Sequence, residues 1–84
     1  MEIYSSARKH DIADEDIAHA IEHALVVGEI EAEAKVLHLG PDRAANLLEV
    51  VSVLRDDGSE IVIHAMRMRP KYEPLLRGEG GDDD

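Results

Sequence analysis

The run Leu47–Arg69, LLEVVSVLRDDGSEIVIHAMRMR, reads as a β-hairpin. Two segments rich in Val, Ile and Leu flank Asp57-Gly58, a strong short-range hairpin signal. Gly58 takes a positive φ without a Cβ clash, and Asp57 tolerates one better than most residues. With these two residues as the loop, Asp56 sits opposite Ser59, and the pairing runs back through Val53–Val62, Val51–His64 and Glu49–Met66. Side chains alternate along a strand. Leu47, Glu49, Val51 and Val53 therefore share a face with Val62, His64, Met66 and Met68. The other face carries Leu48, Val50, Ser52, Leu54, Ile61, Ile63, Ala65 and Arg67. Glu49 and His64 become diagonal neighbours across the pair. Both faces are largely apolar. One must lie under the chain's own helices, and the other is a shallow groove or is covered by a second chain.

A chain of 84 residues without Phe or Trp, and with only Tyr4 and Tyr72 as aromatics, builds a thin aliphatic core in one small domain. The absence of cysteine excludes a disulfide framework and a thiolate metal site. No apolar run approaches the roughly 20 residues of a membrane span, and the N-terminus lacks a signal-peptide pattern, so a cytoplasmic protein is expected. The formal charge of −10 weighs against general nucleic-acid affinity, although local basic clusters can oppose the net sign. Residues 1–77 read as a single α+β domain. Residues 78–84, with their Gly residues and terminal aspartates, read as an acidic disordered tail.

Residues 1–13 suggest a short first helix, with Arg8, Lys9 and His10 at its C-terminal end, where positive charge suits the helix dipole. Alternatively, Lys9 and His10 reach a phosphate. Asp14 is a good N-cap for a second helix running to about Val27, where Gly28 can end it. Its apolar stripe is Ile17, Ala20, Ile21, Ala24 and Leu25. Ile12 is placed to staple its start. The opposite side carries His19, Glu22 and His23, and HAIEH matches the H-x-x-E-H zinc-peptidase pattern. The i, i+4 spacing puts both imidazoles on one face, but a third ligand and a substrate chamber are missing. Two solvated histidines are the preferred reading, so no metal or cofactor is expected. A first strand is expected over Ala34–Leu39, although the Glu-Ala segment before it can also extend the helix. GPDRAAN, residues 40–46, is a turn-rich connection. With the hairpin this makes a three-stranded antiparallel meander, followed by a short helix over Lys71–Arg77 started by Pro70 and limited by Pro74.

Arg43, His64, Arg67, Arg69, Lys71 and Tyr72 can converge near one sheet edge. Phosphodiester transfer needs such a set. A base takes a proton from a ribose 2′-hydroxyl, cations hold the charge building on phosphorus, and an acid protonates the leaving oxygen. His64 suits acid or base, with Glu49 fixing its tautomer. The arginine forks suit the phosphate, and Tyr72 can donate a proton or stack on a base. The competing reading is structural. His64 is then a core histidine satisfied by Glu49, and the arginines only solvate an edge or pair with carboxylates.

Ala7-Arg8-Lys9-His10 with Asp14-Glu15-Asp16-Ile17, and Val62-Ile63-His64-Ala65-Met66-Arg67 through Tyr72, resemble the BrnT-type toxins of the broader RelE/ParE-like superfamily. The likeness is carried by A-x-K-H, by I-x-A-x-x-x-R and by a tyrosine near the end. It implies a RelE-like α+β fold with two N-terminal helices on one side of the antiparallel sheet. It also implies endoribonuclease activity without a metal, blocked by an antitoxin that covers the active face. Lys9, His10, Arg43, Arg67, Arg69 and Tyr72 would inherit roles in that site, and the strand register adds His64. This chain departs from the pattern in its acidity, its missing aromatics and its Asp-rich tail. Two functions therefore stand side by side. One is a ribonuclease toxin with RNA and an antitoxin as partners, using Glu49, His64, Arg67 and Tyr72 for catalysis and Lys9, His10, Arg43, Arg69 and Lys71 for phosphate. The other is a non-enzymatic homo- or heterodimer subunit using the apolar sheet face.

Overall fold

The computed structural model describes residues 1–30 and 34–78. The Glu-Ala segment at 31–33 and the expected tail from residue 79 lie outside the described residues. In chain order the elements are β1 (Glu2–Ile3), a 3-10 turn (Ser5–Arg8), α1 (Asp14–Glu22), β2 (Val26–Ile30), β3 (Lys35–Pro41), β4 (Leu47–Leu54) and β5 (Glu60–Arg67). A second 3-10 turn (Pro70–Tyr72) then runs into α2 (Glu73–Leu76). The strands form one sheet in the order β1-β5-β4-β3-β2. Pairing is antiparallel from β5 through β2, and β1 lies parallel to β5.

This mixed five-stranded sheet corrects the expected plan of two N-terminal helices over a three-stranded antiparallel meander, and with it the RelE-like architecture. At the N-terminus, the residues expected as a first helix spend Glu2–Ile3 as a strand, because the outer edge of β5 offers unpaired backbone groups. The Tyr4 amide continues that pairing by donating to Val62 O at 2.9 Å. At the end of α1, the helix stops at Glu22 rather than near Val27. The Leu25 amide donates to Leu39 O at 2.7 Å, and the β-branched pair Val26-Val27 enters the sheet beside β3. Ala13, not Asp14, takes the N-cap position of α1, and Asp14 turns to Arg8 instead, with Arg8 Nη2 at 2.8 Å.

The hairpin differs from its expected form in two compensating ways. Its loop is longer than Asp57-Gly58 alone. The Arg55 amide donates to Ser59 O at 2.8 Å, the Gly58 amide donates to Arg55 O at 2.9 Å, and Gly58 has φ 89°. That is a three-residue loop with its glycine in the left-handed region. The longer loop pairs Val53 with Ile61, not with Val62. A bulge in β5 opposite Val51 and Ser52 then inserts one extra residue, Ile63, and restores Val51–His64 and Glu49–Met66. Val62 consequently moves to the α1 side of the sheet, and Ile63 to the far side. The extra backbone is not left unpaired. Ser6 Oγ donates to Ile63 O at 2.8 Å.

The core has two layers of apolar contact. On one face Ile17 and Ala20 of α1, with Ala7, pack on Leu48, Val50, Val62 and Ala65. Ile3, Ile12 and Ile21 surround them. The helix crosses close to β3. A Cβ on Gly40 would run into the Ala20 carbonyl oxygen and sit 2.9 Å from the Ala24 Cα, so only glycine fits there. On the other face Leu37, Leu39 and Val51 are covered by Met68, Tyr72 and Leu76 from the C-terminal segment, with Ile63, Val26 and Ile30 alongside. Part of the face expected as an open groove or as the seat of a second chain is thus packed by residues 68–76 of the chain itself. No helix among the described residues is long and apolar enough to cross a membrane.

Candidate functional site

Glu49 lies in the middle of β4 with none of its surface exposed to solvent. A bare carboxylate there would be costly, since burial disfavours its charge. Donors from two directions surround it. His64 Nε2 lies 2.9 Å from Oε2. Arg69 supplies its backbone amide at 3.0 Å and Nε at 3.0 Å to Oε1, and Nη2 at 2.6 Å to Oε2. Burial pushes the Glu49 carboxyl up, but the Arg69 fork, the His64 ring and the Arg69 amide together outweigh it and hold the group below its usual range. Glu49 is therefore ionised and accepts. His64 Nε2 is the donor to it.

The extra residue in β5 matters here. By restoring the Val51–His64 pairing it keeps His64 on the same face as Glu49 despite the longer hairpin loop. His10, just past the first 3-10 turn, meets His64 edge to face, with ring centroids 5.9 Å apart. Its approach follows from the docking of β1 and Ser6 on the β5 edge. Asp11, next in the chain, has φ 62° and turns the backbone away toward α1. His10, His64, Glu49 and Arg69 thus form one cluster: a buried anion, the cation and imidazole it holds, and a second imidazole at the surface.

The other anticipated residues divide. Lys9 is exposed beside His10. Lys71 is exposed with Nζ 5.1 Å from the centroid of the Tyr72 ring, and Tyr72 packs on the far-face core, so this ring is an anchor rather than a free stacking platform. Arg69, anticipated as a phosphate ligand, has its fork on Glu49. Arg67 pairs with Leu48 and so lies on the α1 side of the sheet, away from His64. Arg43 is also elsewhere, with its Nε 2.8 Å and its amide 3.0 Å from Asp16 Oδ1 of α1. These two arginines do not join the cluster. Among the described residues, Lys9, Arg67 and Lys71 form no ion pair.

His19 and His23 stack, with centroids 4.3 Å apart, and His19 Nδ1–H donates to Pro41 O at 2.8 Å. Among the described residues no three His, Asp or Glu side chains are placed to hold a metal ion. One polar group went unremarked in the sequence. His38 is buried, its Nε2–H donates to Ser52 Oγ at 3.1 Å, and Ser52 donates to Glu60 Oε2 at 3.2 Å. Its Nδ1 is buried without a partner among the described residues, and burial pulls the imidazole below its ordinary range against the opposing pull of Glu60. The alternation in KVLHLG, which puts His38 on the same face as Gly40, was the available signal. No family model matches this chain, and neither the curated proteins nor the solved structures include a match to it.

Proposed function

We propose that the His10–His64 cluster cleaves RNA by phosphodiester transfer, and that the chain is the toxin of a toxin–antitoxin pair held in check by a protein antitoxin. The observation that carries this reading is the contact of two imidazoles, 5.9 Å apart, with one of them backed by a buried carboxylate. A single phosphodiester reaches both rings. One neutral imidazole takes the 2′-hydroxyl proton, the 2′-oxygen attacks phosphorus, and the 5′-oxygen leaves with a proton from the other ring, as imidazolium. This produces a 2′,3′-cyclic phosphate and a free 5′-hydroxyl. Glu49 fixes the His64 tautomer and is a positioning residue. Lys9 and Lys71 are the cations available to the phosphate. The resemblance of Ala7–His10 with Asp14–Ile17, and of Val62–Arg67 through Tyr72, to BrnT-type toxins supports the same activity, though not the RelE-like fold.

The test is cleavage of an end-labelled RNA by the purified chain in the presence of a chelator, with product ends mapped. Cyclic phosphate ends are expected, with a bell-shaped pH profile and a loss of about 10²–10⁴-fold in each of His10→Gln and His64→Gln. Cleavage unchanged in both folded variants would remove the site. The charge of −10 favours a second reading, a binding module without catalysis. A folded wild-type chain that leaves RNA intact and does not arrest growth when expressed alone would decide for it.

A further inference from the structure

The two edges of the sheet are finished differently. On the β5 side, β1, Tyr4 and Ser6 occupy the backbone groups. On the other side β2 is the last strand, and nothing among the described residues pairs with its outer edge. Natural edge strands are usually blunted by Lys, Pro, a bulge or a covering loop. The sequence of β2, VVGEI, contains neither Lys nor Pro, and its pairing with β3 runs unbroken from Val26–Leu39 to Ile30–Lys35.

Three further features point outward from this edge. Leu25 and Val27 are 68% and 61% exposed, two large apolar side chains alternating at one site. Gly28 occupies the middle of the strand although this chain has no evident use for a glycine there. Its φ is not positive, and a Cβ would meet no atom within 4 Å. Glycine weakens a strand interior and often marks a place where another backbone comes close. The only charge on the strand is Glu29, in a chain of net charge −10.

We propose that β2 is a docking edge for an extended segment of a basic protein partner, which adds a sixth strand to the sheet. Main-chain hydrogen bonds hold the segment. Its apolar residues cover Leu25 and Val27, a side chain fills the space over Gly28, and a Lys or Arg meets Glu29. A second copy of this chain is the less suited occupant, because it brings the same excess of negative charge.

A nine-residue peptide of alternating Lys and Val is the probe, titrated into the full chain while backbone amide resonances are followed. Shifts centred on residues 26–30 are expected, with affinity falling about tenfold or more between low and moderate salt. A peptide N-methylated along one edge, and a Glu/Val peptide, should each bind at least about tenfold more weakly. Val27→Lys changes an exposed side chain and should leave the fold intact while weakening the Lys/Val peptide by a similar factor. Absence of binding, equal binding of the N-methylated peptide, or shifts centred elsewhere would overturn the proposal. A concentration-dependent dimer in sedimentation, abolished by Val27→Lys, would also overturn it and assign the edge to a second copy.

Discussion

Glu49→Gln preserves shape and removes one charge from the centre of the sheet. The carboxylate accepts from the Arg69 amide and Nε at 3.0 Å, from Arg69 Nη2 at 2.6 Å and from His64 Nε2 at 2.9 Å. An amide oxygen can keep the donors on one side, but the amide nitrogen then presents hydrogens to the donors on the other. Each charge-assisted bond lost costs about 1.5–3 kcal/mol, and an unpaired buried donor costs about 1–3 kcal/mol more. Relaxation offsets part of this, because the Arg69 fork is half exposed and can turn to water. A net loss of about 3 kcal/mol is expected, at the low end for breaking a buried pair. Against a total of roughly 4–12 kcal/mol for a domain this size, that is a large fraction. Urea denaturation followed by circular dichroism measures it. The midpoint should fall by about 2–3 M with an unchanged slope near 1 kcal/mol per M, or the folded baseline should be lost. A loss below about 1 kcal/mol would refute the reasoning, because it would mean that water already solvates the carboxylate.

Gly40→Ala should destabilise the fold by about 2 kcal/mol or more, since the new methyl meets the backbone of α1 and not a movable side chain, and thermal denaturation would register it. Ala45→Gly should stabilise by about 0.5–1 kcal/mol in urea titration. Ala45 has φ 70°, in a loop that Asp42 holds through the Ala44 and Asn46 amides, and glycine removes a left-handed penalty larger than its entropic cost. Stability should fall on acidification in two stages. His38 is held below its ordinary 6.5, so the unfolded chain takes up a proton that the fold refuses, and stability declines as pH drops below that value. Glu49 is held below 4.5, so its contribution is complete above that value and is lost as pH falls through the folded-state titration. Replacing His38 by Asn should flatten the upper stage and leave the lower one, as read from urea midpoints across pH.

The 3.6-residue stripe was enough to show a helix from Asp14 but not its end at Glu22, and the expected diagonal of Glu49 and His64 stands only because the β5 bulge cancels the longer loop. These elements carry their own pattern. The loop is one residue longer than Asp57-Gly58 alone, and the bulge that compensates has no local signature. It is stabilised by Ser6, 57 residues away. For the same reason β1 was hidden. Two residues show no periodicity, and their pairing depends on a distant edge. His10 could therefore be suspected only from its basic neighbours, and its contact with His64 could not be read. The strand β2 was concealed by an accident of spacing. Ala24 and Leu25 continue the helical stripe, while the Val26-Val27 pair already favours the sheet. Arg43 and Arg67 were grouped with the site on charge alone. A tertiary ion pair with Asp16 takes the first, and strand alternation sends the second to the opposite face.

The pairing of β1 with β5 also sets a timetable. During synthesis β1 leaves the ribosome before β5 does, and it waits for its partner until residues 61–62 have followed. Contacts so far apart in sequence close a large loop and come late in folding. His10 and His64 can meet only after that closure, so the cluster assembles after β5 has been made. Lengthening the N-terminus by a bulky fusion, or removing Glu2–Tyr4, should delay or prevent the same event while leaving the β3–β4–β5 hairpins able to form. The fold thereby makes assembly of the His10–His64 cluster depend on the docking of β1.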